Sequence, residues 1–191
     1  MTSQKLPRSR RRASIVRAAA AAFATRGYAD TSMTDVAEQA DVTRVLLYRH
    51  FDSKEALYRA VLDEVVNSLR STWQLLELDG ESSPMAAMQA HLNVARANPD
   101  GYRLLWHHAD TEQSFAAYAQ VIRATLEAIA DERVGDAIKP ELRPWAAAML
   151  VSNIVEAVLT WLDQGDPLHD DLFVATSTQG ITCLVDGWSN G

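Results

Sequence analysis

The chain has 191 residues, 48% hydrophobic and 23% charged, which is enough for one domain or two small ones with a substantial core. A single cysteine, Cys183, excludes an intramolecular disulfide and a multi-cysteine metal site, and suits a reducing cytoplasm. The net charge of −7 is unevenly placed: residues 1–60 carry eleven Lys/Arg against six Asp/Glu, and residues 61–191 carry seven against nineteen, so a head of +5 sits on a body of −12. Such a head can meet a polyanion that the body repels, although chance asymmetry of this size also occurs in soluble proteins.

Glycine and proline are sparse and alanine runs are long, which points to helices. A first helix is expected from about Arg10 to Arg26, with Ile15, Ala18, Ala19, Ala22 and Phe23 at helical spacing and Gly27 at its left-handed end. Ser32, or Thr31, caps a short second helix, with Asp35 in the place of the usual capping-box Glu. Asp41-Val42-Thr43 is a turn, and Thr43 caps a third helix over Arg44 to His50. Asp52 or Ser53 opens a long fourth helix whose stripe is Leu57, Val61, Val65, Leu69 and Trp73 or Leu76. Pro84 starts a fifth helix ending near Ala97, and Asn98-Pro99 starts a sixth carrying Tyr102, Leu105 and Trp106. Phe115 to Ile129 marks a seventh, Pro140 or Pro144 begins an eighth, and Asp166-Pro167 begins a ninth. The expected fold is all-α with about nine helices: a three-helix head over residues 1–53 and a helical bundle over 54–191, joined by the helix around 54–78.

Two short helices joined by a three-residue turn present the second helix to the DNA major groove. Here the second helix offers Thr43, Arg44, Tyr48, Arg49 and His50, side chains suited to phosphates and base edges, while Leu47 and Phe51 point into the head core. The stretch Ile15-x-x-Ala18-Ala19-x-x-x-Phe23-x-x-x-Gly27-Tyr28-x-x-Thr31-Ser32-Met33-x-Asp35-Val36-Ala37 resembles the N-terminal signature of the tetracycline-repressor (TetR) family. So does Ala40-Asp41-Val42-Thr43-Arg44-x-x-Leu47-Tyr48-Arg49-His50-Phe51-x-Ser53-Lys54-Glu55-x-Leu57. Asp41 and Val45 stand where the family usually places glycine; Asp tolerates the left-handed angles such a turn requires. Val45 and Leu46 either touch thymine methyl groups or thicken the head core.

The resemblance implies a homodimeric repressor on a palindromic double-stranded operator, released by a small-molecule inducer. It implies that Tyr48 and Lys54 hold phosphates and that Thr31, Ser32 and Thr34 lie at the DNA backbone. Lys5, Arg8, Arg10, Arg11 and Arg12 form a basic arm that either reaches a minor groove or is a solvated tail. It places the dimer interface on the last two helices, where Leu150, Ile154, Val158, Leu162, Leu172, Ile181, Leu184, Val185 and Trp188 exceed what one amphipathic face needs. A pocket is expected among Trp73, Tyr102, Trp106, His107, Phe115, Tyr118, Trp145, Met149, Asn153, Glu156 and Trp161. Asn153, Glu156 and Thr160 share a face of an apolar helix, and Glu156 favours an apolar inducer with a donor or a positive charge; bonding to Trp and His side chains or across the interface would explain the same residues.

Other classes find no support. No nucleophile triad, phosphate loop or paired carboxylates mark an enzyme, and no cofactor or metal is expected, since His107 and His108 point to different helix sides. The apolar stretch from Trp145 to Leu162 holds Glu156 and reads as a buried helix of a cytoplasmic protein rather than a membrane span. Cys183 reads as a small core residue. An activator, or a regulator answering to a partner protein, keeps the same signature.

Overall fold

A computed structural model describes residues 7–78, 80, 83–109, 112 and 114–189, and they hold nine α-helices and no strand. The head is α1 (Arg8–Asp30), α2 (Met33–Gln39) and α3 (Arg44–Tyr48), followed by the long α4 (Lys54–Leu78). The body adds α5 (Pro84–Ala97), α6 (Pro99–Arg103), α7 (Ala116–Val134), α8 (Arg143–Gln164) and α9 (Asp170–Ser189). α1 begins two residues earlier than the apolar pattern suggests, so Arg8, Arg10, Arg11 and Arg12 lie on its first turns rather than on an extended arm. Lys5 lies outside the described residues. At Gly27 (φ 80°, ψ 163°) the chain leaves the helical path in an extended positive-φ conformation open to glycine, not the left-handed cap its position suggests, and α1 resumes as far as Asp30.

Local chemistry sets most of the other boundaries. The Ser32 hydroxyl accepts from Asp35 N while the Asp35 carboxylate accepts from Ser32 N at 2.8 Å, a complete capping box. Asp41 carries the left-handed angle of the turn (φ 50°). Ser53 Oγ accepts from Ala56 N, Ser83 Oγ from Ala86 N and Asn98 Oδ1 from Gly101 N, opening α4, α5 and α6. Pro144, not Pro140, occupies the first turn of α8. Asp166-Pro167 begins a 3-10 turn, with α9 proper starting at Asp170. At Gly165 the backbone turns extended and α8 ends, and the Trp161 ring lies so close against it that a Cβ there would collide with the ring. The α6 helix runs on into a π-helical turn, Leu104–His108, closed by Ala109 N donating to Leu104 O.

One buried cluster runs from Ile15 in α1 to Ile181 in α9. α4 packs on α1 at one end and on α5 and α6 along its length, and α1 also packs directly on α6. At the junction Phe23 and Tyr28 of α1, Tyr58 of α4 and Phe115 before α7 form an aromatic cluster with centroid separations of 4.4–5.9 Å. α8 is long and apolar enough to span a bilayer, yet Ala146, Ala147, Leu150, Val151, Val155, Val158 and Leu159 are buried, and its packing partners are α5, α7 and α9. Cys183 is exposed on α9, contrary to the core position its apolar neighbours suggest, because the helical phase that buries Val174, Thr178 and Ile181 turns it outward.

His91 in α5 is fully buried, its Nδ1 2.9 Å from Tyr102 Oη, and burial lowers its pKa to about 4. The native state therefore holds His91 neutral while the unfolded chain protonates it near its ordinary value of 6.5. Its contribution to stability is complete above pH 6.5 and is lost as the pH falls toward 4. Between pH 7 and pH 5 urea unfolding should show a loss of about 2 kcal/mol from this group, and His91→Phe should flatten that slope.

Candidate nucleic-acid interface and body cavity

The third helix is held from behind and displayed in front. Leu47 is fully buried and Phe51 nearly so, which seats α3 in the head core, while Arg44, Val45, Tyr48 and Arg49 face solvent. Thr43 Oγ1 accepts from Leu46 N and fixes the first turn. The Arg44 guanidinium lies 5.5 Å over the Tyr48 ring, one turn on, so the cation is laid along the exposed face instead of wandering in solvent. Val45 is 66% exposed and Leu46 half-buried, so of the two apolar residues it is Val45 that stands free to meet a methyl group.

The first turns of α1 flank this helix with positive charge. Half-buried His50 has its pKa lowered first by burial and then by Arg8, Arg12 and Arg11, and Arg12 stacks 5.1 Å over the Phe51 ring. These guanidiniums thus extend the basic face of α3. Ser32 and Thr34 are exposed at the start of α2. Asp35 there is held well below the carboxylate range, near 2, first by its hydrogen bonds from Ser32 and then by the one from Arg26. Thr31 differs: it is buried and its hydroxyl donates to the Gly27 carbonyl at 2.7 Å, a group spent inside the head. Lys54 is half-buried, with its ammonium donating to the Tyr28 and Ala29 carbonyls at 2.8 and 3.1 Å above the Tyr28 ring. Two of its three N–H groups therefore tie the end of α1 to the start of α4, leaving one for an anion.

The body holds a cavity of about 360 Å³ walled by α4, α5, α7, α8 and α9. Of the residues expected at a pocket, only Trp73 lines it. Tyr102 and Phe115 are fully buried and Trp106 nearly so: Phe115 packs in the junction between head and body, while Tyr102 lies between Trp106 and His91, its hydroxyl 2.9 Å from His91 Nδ1. Tyr118 donates to Asp63 of α4 at 2.6 Å, which pushes its phenol pKa upward together with burial, the larger cause. Trp145 and Met149 lie on the exposed edge of α8. Asn153, Glu156, Thr160 and Trp161 line a separate shallow groove, with Glu156 exposed and 3.3 Å from His107 Nε2. Four residues expected at an interface, Leu150, Ile154, Ile181 and Val185, line the cavity instead, and Val158 is in the core. Leu172 and Leu184 are exposed, while Leu162 and Trp188 are half-buried. Sequence reasoning passed over Arg133 and His91 at the cavity. His91 had a signal: it lies on the same helical stripe as Met88, Leu92 and Ala95.

The family model described as "Bacterial regulatory proteins, tetR family" matches residues 15–61, spanning α1 to the first turns of α4. Over 182 residues the chain is 31% identical to the HTH-type transcriptional activator FasR of Mycolicibacterium smegmatis, covering 92% of this chain and 83% of that one. The chain belongs to the tetR family. As a TetR-family member it is a DNA-binding transcriptional regulator with a helix-turn-helix, and not an enzyme. It is also 34% identical, over 125 residues covering 63% of each chain, to an HTH-type transcriptional repressor of Mycobacterium tuberculosis. The fold is that of a TetR-like regulator from Rhodococcus sp. RHA1 (TM-score 0.72, 21% identity, 93% of this chain and 99% of that one). It is equally that of AibR, solved with isovaleryl coenzyme A and operator DNA (TM-score 0.68, 20% identity, 88% and 96%).

If Arg44 reads a base, Arg44→Ala costs about 1–3 kcal/mol on the operator and relaxes one base position. Competition binding with operator variants and random DNA measures this; equal loss on both would contradict base reading.

Proposed function

We propose that this regulator binds a palindromic operator as a homodimer and that a small molecule in the body cavity lowers its operator affinity. The observation that carries the dimer is the outer face of α8 and α9. Trp145, Met149, Leu172 and Leu184 are exposed there, and Gly180 and Gly187 sit inside α9, where each costs about 1 kcal/mol of helix stability relative to alanine. A Cβ at either glycine would meet nothing within 4 Å in this protomer, so the fold of one chain gives no reason for them. Close approach of a second copy about a two-fold axis supplies the reason, and a two-fold protein calls for a two-fold DNA site.

The cavity supports the ligand half of the reading. Its walls include Trp73 of α4 and Leu126, Ile129 and Arg133 of α7, and α7 is hydrogen-bonded to α4 through Tyr118 and Asp63. An occupant that prefers one placement of α7 thereby biases α4, whose first turn is tied by Lys54 to the head. AibR, of the same fold, has been seen with a ligand and its operator together. In this reading the protein works in the cytoplasm beside its DNA, and binding over a promoter represses it. A second reading, activation, is favoured by the likeness to FasR over most of the chain; a promoter–reporter assay with and without the gene gives the sign directly.

Gly180→Arg should convert the dimer to a monomer that keeps its helicity, and operator affinity should fall by roughly a hundredfold or more as one half-site is lost. Light scattering and fluorescence anisotropy test this together; a Gly180→Arg protein still dimeric, or a monomer binding at full affinity, would contradict the proposal.

A further inference from the structure

The cavity has a polarity of its own. Most of its wall is aliphatic, with Ala87 of α5, Leu126 and Ile129 of α7, and Leu150 and Ile154 of α8. Among the described residues no Asp or Glu lines it, and the one ionised side chain there is Arg133, which is exposed at the cavity's edge. The Arg133 guanidinium lies 5.0 Å over the ring of Trp73, itself part of the wall, and its ion pair with Glu77 spans 3.7 Å, too long for a hydrogen bond. Arg133 therefore keeps donor capacity on the cavity side, since a guanidinium carries five N–H groups. The Trp73 indole N–H is buried with no acceptor. His91 closes the other side and adds no charge, because burial keeps it neutral.

Donors at one place and hydrocarbon elsewhere define the occupant. A cation there would meet the like charge of Arg133, with no carboxylate among the described lining residues to offset it. Glu156, which suggested a cationic ligand from sequence, lies in the separate groove on the outer face of α8. At the ~30 Å³ that a water occupies in the liquid, the volume of about 360 Å³ holds about a dozen non-hydrogen atoms. We propose that the cavity takes a medium-length aliphatic carboxylate, its chain among the aliphatic residues of α7 and α8 and its carboxylate on Arg133. This inference rests on the reading of the cavity as the regulatory ligand site and adds the chemical class.

Calorimetric titration of the full chain with octanoate, octanol and octylamine tests it. Octanoate should bind about tenfold or more tighter than octanol, with octylamine weakest. Arg133→Met, which keeps the packing over Trp73, should bring octanoate within about threefold of octanol, and Arg133→Lys should restore part of the difference. Ala130→Leu, which narrows the cavity, should abolish binding of all three. Octylamine binding as well as octanoate, or a carboxylate preference unchanged in Arg133→Met, would overturn the ligand class while leaving a ligand cavity in place. Octanoate binding that survives Ala130→Leu would place the site elsewhere. Binding of none of the three would overturn the cavity reading itself.

Discussion

The aim of the third helix depends on an aromatic junction. Phe23 and Tyr28 belong to the head, Tyr58 to the shared helix α4, and Phe115 to the body, and their rings meet edge-on or tilted at 4.4–5.9 Å. Close-packed rings have few alternative arrangements, so the head is not a bead on a flexible string. The Lys54 ammonium reinforces the same joint by bonding the last carbonyls of α1 above the Tyr28 ring. With α1 also packed on α6, the orientation of α3 is fixed by how the body helices pack.

That constraint makes the position of the cavity informative. It is walled by α4 and α7, the elements that also carry Trp73, Tyr118 and Asp63, and it lies away from the rings of the junction. A molecule filling it would change the spacing of helices without touching the head, and the head would follow because its joint is stiff. The π-helical turn at Leu104–His108 packs against α1 and α4 where α6 ends, so this departure from regular α-helix lies beside the joint between head and body.

What the sequence made legible was local. The caps at Ser32, Thr43 and Asn98, the left-handed Asp41 and the break at Gly27 are decided by a few neighbouring residues, and the basic head on an acidic body is a matter of counting. The nine helices followed from their apolar spacing. The cavity was not legible, because a helix residue facing a hollow carries the same side chain as one facing a partner: Leu150, Ile154, Ile181 and Val185 read as interface and stand at the cavity wall. Aromatic residues misled in the opposite direction, since Tyr102, Trp106 and Phe115 have the chemistry of a pocket and are spent on the core, Phe115 in the junction and the other two beside His91. Glu156 looked buried because its helix is apolar, yet the 3.6-residue phase of α8 turns it to the surface beside His107. Charge at a distance from the motif, as at Arg133, has no local signature at all.

The account centres on a two-fold protein that reads DNA through α3. Selection of bound sites from random duplex DNA by the full chain tests this most directly. The predicted result is an inverted repeat whose half-site centres are about 10 base pairs, or a multiple of that, apart. Enrichment of a single asymmetric site, or no enrichment above random DNA, would contradict it.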